Sequence, residues 1–548
     1  MKLRVSRTLR ALCIPIISTL AAACGDDSGT APAVNDQPCC FAYPDPIVLP
    51  AVLVGPDPLL YDQWHLQNSG QAGGTPGEDL NVAGPAGAWS LGTDGLGVRV
   101  AIVDDAIEVV HPDLAPNFSA ANGVFFNYRA GAAPGSLPLP YYFEDDHGTA
   151  VAGIVLARNL NAIGGAGVAP RAEMAAYNPL STSLDADIAD ALLRDNASTS
   201  VYNNSWGSPD NGALNVAEAS FVSAIETGIA AGRGGKGAIY VFPAGNGGCY
   251  MLQADGSCAG ENANYDGYVN QRGVIAACAV DDNGRAPVYA EPGANILVCG
   301  RSGNERAGIT TTTPQGAYRS DFNGTSASTP TVSGVAALML QSNPALTWRD
   351  VRLIMAKSAR KNHPTDPGWV SYAGLKDFNP KYGFGAVDAA AAVTLAQTWA
   401  SVGGSAGLTQ CSVQRGPNTN SFPKTLPPQS DPDPTRAIAD AIDLSGCGIT
   451  KIEFVEVRFT ATHTYSGDLA VSLRSPNGLE SILAGARLCD RDRDGFADDC
   501  GSYTDWAFGS VRHLDESAAG VWRLYVSDGS PDGDTGTWDA WRLTIWGR

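Results

Sequence analysis

The chain has 548 residues, of which 44% are hydrophobic and 17% charged, so we expect two or more well-packed domains rather than disorder. Its 56 Asp and Glu residues outnumber 36 Lys and Arg, and the net charge of -20 argues against a nucleic-acid partner. An acidic surface suits calcium and cationic substrates, and it suits simple solubility equally well.

The first 23 residues have the pattern of an export signal peptide. Basic residues from Lys2 to Arg10 precede an apolar stretch, residues 11–20, that is too short to span a membrane. The following alanines and Cys24 are similar to a bacterial lipoprotein signal. We therefore expect an exported protein of the cell envelope with a lipid on Cys24, or a secreted one if cleavage is of the ordinary kind. Residues 24–56, rich in Ala, Pro, Gly and Asp, predict a flexible tether.

Short apolar strands alternate with helices over residues 57–400, which predicts a parallel α/β sheet covered on both faces. The predicted strands are 98–103, 238–242 and 274–280, and the predicted helices are 148–157 and 332–340. A Gly/Ser spacer, residues 402–407, follows. Residues 408–548 then read as an all-β sandwich, with predicted strands at 452–459, 469–473, 522–526 and 541–546.

Most of the 12 cysteines fall in pairs of sequence neighbours, and export permits disulfides. We predict that neighbours pair, although spacing alone leaves other connectivities open. The predicted pairs are Cys249 with Cys258, Cys278 with Cys299, Cys411 with Cys447, and Cys489 with Cys500. Cys39 and Cys40 are adjacent and stay unassigned.

Three segments predict a nucleophilic hydrolase. Asp104 ends the first predicted strand, where open parallel sheets place their sites, although one such aspartate is also a common helix cap. His147, one of only six histidines, begins a helix of small residues. Ser326 stands between a glycine turn and an apolar helix whose N-terminus offers free N–H groups. These types form an Asp–His–Ser triad, in which histidine takes the serine proton and aspartate orients the ring.

The tetrahedral intermediate of such a reaction needs hydrogen-bond donors for its oxyanion. The backbone N–H of Ser326 is one, and the side-chain amide of Asn246, just after the strand 238–242, is the second candidate. A turn asparagine in a left-handed conformation is the alternative interpretation of Asn246.

In this order the segments DDAIEVVHPDL, HGTAVAG, PAGNGG and NGTSASTP resemble the subtilisin-like serine proteases over about residues 57–400. The Asp104–Asp105 pair, SWGSPD at 205–210 and YDGY at 265–268 are similar to the kexin/furin branch, the proprotein convertases. The resemblance implies a peptidase that cleaves after Lys/Arg-Arg. It implies that Asp210 and Asp266 line the pocket for the residue at the cleavage point, and that Asp105 and Asp145 face the preceding one. As single residues, Asp210 and Asp266 are also compatible with turns.

The same resemblance implies calcium at two sites. The first would use Asp57 and Asp113 with the loop residues Arg158, Asn161, Ile163 and Gly165, partly through carbonyls, and the second would use Asp210, Glu261 and Glu291. A third family site has no match in residues 117–140. Asp490, Asp492 and Asp494 resemble the start of a calcium loop without its twelfth-position glutamate, and a solvated acidic turn is the alternative.

Residues 413–548 resemble the P-domain that follows the convertase catalytic domain, through THTYSGDL, SPNG, GVW and DGDTGT. Its tryptophans are expected mostly in its core and partly at the seam with the first domain. A broad-specificity subtilisin and an inactive binding or adhesion protein on the same fold are the rival functions. Because residues 25–56 do not resemble a folding prodomain, we expect either a separate chaperone or unaided folding.

Overall fold

The computed structural model describes residues 40–44, 53–252, 258–417, 421–426, 437–530 and 533–548. The predicted signal peptide, Cys24, Cys39 and most of the predicted tether lie outside these residues. Within the part described, no helix has both the length and the apolar character that crossing a membrane requires. Residues 40–548 form a single compact unit.

The helices are α1 His147–Leu156, α2 Asp185–Leu193, α3 Ala219–Gly235, α4 Thr325–Ser342, α5 Trp348–Ser358 and α6 Ala389–Gln397. The strands before residue 400 are β1 Arg99–Val103, β2 Phe125–Phe126, β3 Glu173–Tyr177, β4 Val201–Asn204, β5 Ile239–Pro243, β6 Met251–Leu252, β7 Cys258–Ala259, β8 Val274–Val280, β9 Ile296–Arg301, β10 Ile309–Thr313 and β11 Ala317–Phe322. The later strands are β12 Thr409–Arg415, β13 Lys424–Leu426, β14 Ile438–Asp443, β15 Ile452–His463, β16 Leu469–Arg474, β17 Glu480–Ala484, β18 Tyr503–Ser510, β19 Val521–Asp528 and β20 Gly536–Gly547.

Seven strands form one parallel sheet in the order β2-β3-β1-β4-β5-β8-β9. Strands β5, β8 and β9 are buried along their whole length, as expected of a sheet that is covered on both faces. The predicted strands at 98–103, 238–242 and 274–280 are confirmed as β1, β5 and β8. Because all strands are parallel, the carboxyl ends of β1, β4 and β5 lie at one edge of the sheet.

Helix α4 is the central helix of this layer. Residues 327–340 are buried throughout, and the helix packs against β4, β5, β8 and β9. It begins after Gly324, whose φ of 78° is a left-handed value that glycine adopts without strain. The predicted helix at 332–340 is therefore the second half of a longer helix that starts at the glycine turn.

The C-terminal part is the predicted sandwich of two antiparallel sheets. One has the order β12-β20-β15-β18, with β13 paired to β20, and the other has the order β14-β19-β16-β17. Trp522, Trp538 and Trp541 fill its core. Trp506 instead donates its indole N–H to the Asn264 carbonyl, and Trp546 lies against Arg272. These two tryptophans therefore belong to the seam between the sandwich and the α/β part of the chain.

Charged groups also cross this seam. Arg349 on α5 has no exposed side-chain surface and forms two hydrogen bonds to Glu453 on β15, at 2.8 and 2.6 Å. Its Nη1 contacts the carbonyls of residues 402–404, the predicted Gly/Ser spacer. The seam is therefore a specific, partly buried interface.

All four predicted disulfides are present: Cys249–Cys258, Cys278–Cys299, Cys411–Cys447 and Cys489–Cys500. Cys278 and Cys299 are directly opposite each other on β8 and β9. Cys40 forms an antiparallel bridge with Tyr142, ahead of α1. Disulfides of this kind persist in oxidising compartments, in keeping with an exported protein.

Candidate active site

The carboxyl edge of the sheet brings Asp104 and His147 together. Asp104 directly follows β1 and has no exposed surface, and His147 is the first residue of α1. Nδ1 of His147 lies 2.8 Å from Oδ1 of Asp104. This hydrogen bond places the proton on Nδ1 and leaves Nε2 as the basic nitrogen.

Ser326 lies in the first turn of α4. Its hydroxyl donates to the Ser205 carbonyl at 3.1 Å, and the Ser205 hydroxyl donates back to the Ser326 carbonyl at the same distance. Ser205 follows β4, the strand beside β1. The serine is therefore held at the same edge as Asp104, with its backbone N–H at a helix N-terminus.

Asn246 lies just beyond β5 and faces the start of α4. Its Oδ1 accepts hydrogen bonds from the Thr325 N–H and the Thr325 hydroxyl, both at 2.8 Å. A Cβ on Gly324 would come within 3.3 Å of the same oxygen. Because Oδ1 is committed to Thr325, the amide presents its Nδ2 group as the available donor beside Ser326.

Three carboxylates act on the imidazole. Burial disfavours the charged form of His147, but Asp104, Asp105 and Asp146 outweigh burial and raise its pKa to about 9. Burial also raises the pKa of Asp105, and the negative charge of Asp104 adds to the effect. A histidine so placed binds a proton readily and is stabilised as a cation.

Asp105 caps helix α1 from outside the helix. One carboxylate oxygen accepts the N–H of Gly148 at 2.8 Å, and the other accepts the N–H of His147 at 3.2 Å. The side chain is half-buried, so it keeps an accessible face. The structure thus gives Asp105 a helix-capping role beside the substrate-binding one that the sequence predicts.

Asp145 has a cationic partner within the chain. Its Oδ2 lies 2.6 Å from Nη2 of Arg129 and accepts the N–H groups of Tyr141 and Tyr142 at 2.9 Å. The Arg129 guanidinium lies 5.0 Å and 5.4 Å from the two tyrosine ring centroids. Arg129 has no signature in the sequence as the partner of Asp145, because the two residues are 16 positions apart.

Asp210 and Asp266 lie in two loops joined by a bridge between Asn215 and Asp266. Asp266 accepts the N–H groups of Ser208 and Tyr268, at 2.8 and 2.7 Å, and the Ser208 hydroxyl. Burial raises its pKa to about 6, and the Asp210 charge contributes. The two carboxylates are half-buried and their charges interact, and a Cβ on Gly207 would lie 2.7 Å from Asp266 Oδ2.

Asp210 also belongs to a second acidic group with Glu261 and Glu291, in which one carboxylate oxygen from each residue lies within 4.8 Å of the others. Glu261 and Glu291 are buried, and burial together with the neighbouring carboxylates raises their pKa well above the usual range. Backbone N–H groups donate to all three carboxylates: Gly212 to Glu261, Gly247 to Glu291 and Asn246 to Asp210. A Cβ on Gly245 would lie 2.0 Å from Glu291 Oε1, so the backbone closes tightly around this oxygen set, which fits a calcium ion.

The other predicted calcium residues also come together. Asp57, Asp113 and Asn161 are buried, and the Asn161 amide lies 2.6 Å from Asp113 Oδ1. Asp57 accepts the N–H groups of Leu160 and Asn161, while Asp113 accepts that of Gly165. Burial raises the Asp113 pKa to about 7, and the charge of Asp57 adds to the effect. Among the described residues neither carboxylate has an Arg or Lys in ion-pair contact, so the donor set fits a cation.

The three aspartates of the third predicted calcium site also lie close together. Asp490, Asp492 and Asp494 each place one carboxylate oxygen within 4.8 Å of the other two. Asp490 is buried and accepts the N–H groups of Asp494 and Gly495, whereas the other two are exposed. These contacts are those of an acidic turn as much as of an ion site.

Two family models match the chain: the Subtilase family over residues 95–385, and the proprotein convertase P-domain over residues 452–545. The chain belongs to the subtilase family. This membership, with the P-domain, confirms the predicted fold, and it gives the chain the class of serine endopeptidases.

The Schizosaccharomyces pombe dibasic-processing endoprotease is 34% identical over 90% of this chain and 65% of its own length. Human neuroendocrine convertase 2 is 33% identical over 90% of this chain and 74% of its length. Candida albicans kexin is 32% identical over 90% of this chain and 50% of its length. The chain thus spans between half and three quarters of the length of these relatives, which all belong to the kexin-like branch.

Solved structures support the same fold. A serine protease of Aeromonas sobria matches with a TM-score of 0.75 at 26% identity, covering 90% of this chain and 96% of that one. The complex of the Aeromonas sobria protease with its chaperone matches with a TM-score of 0.76 at 26% identity, covering 91% and 96%.

Proposed function

We propose that this subtilase cleaves peptide bonds after paired basic residues through Asp104, His147 and Ser326. The observation that carries the proposal is the 2.8 Å Asp104–His147 hydrogen bond at the sheet edge where Ser326 lies in the first turn of α4, with the Asp210 and Asp266 carboxylates as the proposed pocket. An inactive scaffold would have no need for an oriented histidine, a helix-start serine and a positioned asparagine together.

In the reaction, Ser326 Oγ attacks the scissile carbonyl carbon while His147 Nε2 takes the hydroxyl proton. The Ser326 N–H and the Asn246 Nδ2 group donate to the oxyanion; loss of one such donor typically costs about 3 kcal/mol of transition-state stabilisation. The intermediate collapses, the C–N bond breaks, and His147 gives its proton to the leaving amine. Water then hydrolyses the acyl-enzyme with His147 again as base, which restores Ser326.

Specificity follows from the carboxylates. A substrate arginine or lysine beside Asp210 and Asp266 would pair with negative charges whose ionised form burial disfavours, so cationic residues are selected at the cleavage point. For the preceding residue, Asp105 keeps an accessible carboxylate, whereas Asp145 is already paired with Arg129. Selection there is therefore expected to be weaker than at the cleavage point.

A serine-reactive phosphonate probe tests the nucleophile. Labelling of the native chain at Ser326, with none in Ser326→Ala, is the expected result. A fluorogenic peptide panel with and without EDTA tests the substrate class. Equal cleavage after apolar and basic residues would favour the rival broad-specificity protease, and no labelling of the native chain would favour the rival binding protein.

Calcium is the proposed cofactor. Asp57, Asp113, Asn161 and the carbonyls of Arg158, Ile163 and Gly165 would hold one ion, and Asp210, Glu261 and Glu291 a second. A bound ion supplies the positive charge that these convergent oxygens lack, and the protein residues themselves carry out the chemistry. The second set adjoins Asn246, whose N–H donates to Asp210 at 3.0 Å, so it supports the oxyanion side of the site.

Two further proposals concern the cell biology. We propose that a separate chaperone assists folding; the support is the Aeromonas sobria relative, whose structure was solved in complex with its chaperone. Full activity of the mature chain expressed alone would rule out an obligatory chaperone. We also propose a lipid on Cys24, and metabolic labelling with palmitate that survives in Cys24→Ala would contradict it.

A further inference from the structure

A loop of the β-sandwich lies directly on the proposed specificity pocket. This disulfide loop, residues 489–500, is closed by Cys489–Cys500 and follows β17 in the chain. The N–H of Asp490 donates to the Asn211 carbonyl, and the N–H of Leu214 donates to the Cys500 carbonyl, both at 3.0 Å. Both ends of the loop are thus bonded to the pocket segment, residues 210–214.

The residues just before the loop strengthen the contact. Arg487 donates through Nε to the Gly212 carbonyl and lies 3.7 Å from the ring centroid of Tyr265, the neighbour of Asp266. Tyr250 donates its hydroxyl to the Leu488 carbonyl. At Gly212, where φ is +77°, a Cβ would come within 2.7 Å of that carbonyl. The two surfaces are therefore in close backbone contact.

The pocket segment has little other regular support. Residues 210–214 form no helix or strand, so their position depends on side-chain and loop contacts. The disulfide loop is itself fixed to the sandwich: the N–H of Cys489 donates to the Tyr465 hydroxyl at 3.1 Å, and Cys500 Sγ packs against Gly467. Through this cross-linked loop, the sandwich thus contacts the segment that carries Asp210.

From these contacts we infer that the disulfide loop is a specificity element, because it positions the pocket segment that carries Asp210. The inference rests on the proposed cleavage after basic residues. The residues of the disulfide loop are inferred to act on substrate binding, because none of them contacts Ser326, His147 or Asp104 in the described structure. They are positioning residues.

The test opens the loop and compares it with a matched control. Cys489→Ser/Cys500→Ser is expected to raise KM for Arg-containing peptides about tenfold, in keeping with the loss of one or two ordered hydrogen bonds, while kcat changes little. Cys411→Ser/Cys447→Ser removes a disulfide that joins β12 to the turn after β14, and it should leave KM unchanged. The melting temperature of each variant separates a local effect from loss of folding.

Equal KM in the native and opened-loop enzymes, or equal KM changes in both disulfide variants, would overturn the positioning role. Failure of the native enzyme to cleave basic peptides, with normal phosphonate labelling, would instead refute the proposed function.

Discussion

Arg129 and Asp145 form an ion pair, with Nη2 of the arginine 2.6 Å from Oδ2 of the aspartate, two residues before the active-site helix begins. The guanidinium is flanked by the rings of Tyr141 and Tyr142. A substrate cation that approached Asp145 would have to displace this partner. The chain therefore carries its own cation at a carboxylate that the kexin-like resemblance assigns to substrate.

Removing that internal cation should strengthen selection of a basic residue before the cleavage point. We predict that Arg129→Met lowers KM for Lys-Arg peptides relative to Ala-Arg peptides by about fivefold, the factor that corresponds to ~1 kcal/mol. Arg171→Met, which removes a looser surface pair with Asp94, is the matched control. An unchanged Lys-Arg to Ala-Arg ratio would show that Asp145 does not contact the substrate.

The pH dependence of kcat/KM should report His147. Catalysis needs the neutral imidazole, so activity rises with pH through its pKa, which the surrounding carboxylates raise to about 9. Asp105→Asn removes one of those negative charges and keeps a side-chain oxygen that can accept a backbone N–H. The acidic limb of the profile should therefore move to lower pH. An Ala-Arg peptide is the substrate of choice, because Asp105 then has no substrate cation to bind.

The control for this profile is Asp187→Asn, since Asp187 bonds to Thr182 and does not act on His147. A limb that stays in place, or moves to higher pH, in Asp105→Asn would contradict the assigned influence of Asp105 on the histidine.

Calcium removal should destabilise the protein. An ion present at ~100 times its Kd stabilises the folded state by about 2.7 kcal/mol per site, so EDTA should lower the melting temperature and calcium should restore it. Asp113→Asn and Glu261→Gln should each reduce the shift by removing a donor from one site, while magnesium should replace calcium poorly. Identical melting curves with EDTA and with calcium would contradict both sites.

The seam between the sandwich and α5 should depend on Glu453. Glu453→Gln leaves the buried Arg349 guanidinium without its ionic partner, a change that costs about 3–5 kcal/mol for a buried pair. Arg349→Met/Glu453→Gln removes the stranded charge and should recover part of the loss. Urea unfolding of the two single variants and the double variant measures the coupling; strictly additive effects would argue against it.

The sequence predicted these helices, strands and disulfides well, because each depends on residues that are close together in the chain. The buried run of β8, the turn and helix around Ser326, and disulfides between sequence neighbours all depend on short-range information. Parallel topology then explains why Asp104, Ser205 and Asn246 meet at one edge. The family resemblance supplied the calcium and pocket sets.

Long-range contacts were beyond such patterns. Nothing near Asp145 points to Arg129, and nothing near Asp210 points to a loop almost 280 residues later that packs on its neighbours. The dual use of Asp105, as helix cap and as accessible carboxylate, likewise depends on where α1 starts relative to β1. These relationships required the folded chain.

The role of the carboxylates in specificity can be measured as kcat/KM for two peptides that differ only at the cleaved residue, which is arginine in one and its neutral isostere citrulline in the other. We predict that arginine is preferred by about a hundredfold or more, because citrulline leaves Asp210 and Asp266 without a cationic partner and so raises the activation free energy by ~3 kcal/mol. The Ser326→Ala variant should cleave neither. A preference within about threefold, on the order of a surface ion pair, would contradict cleavage directed by the carboxylate pocket.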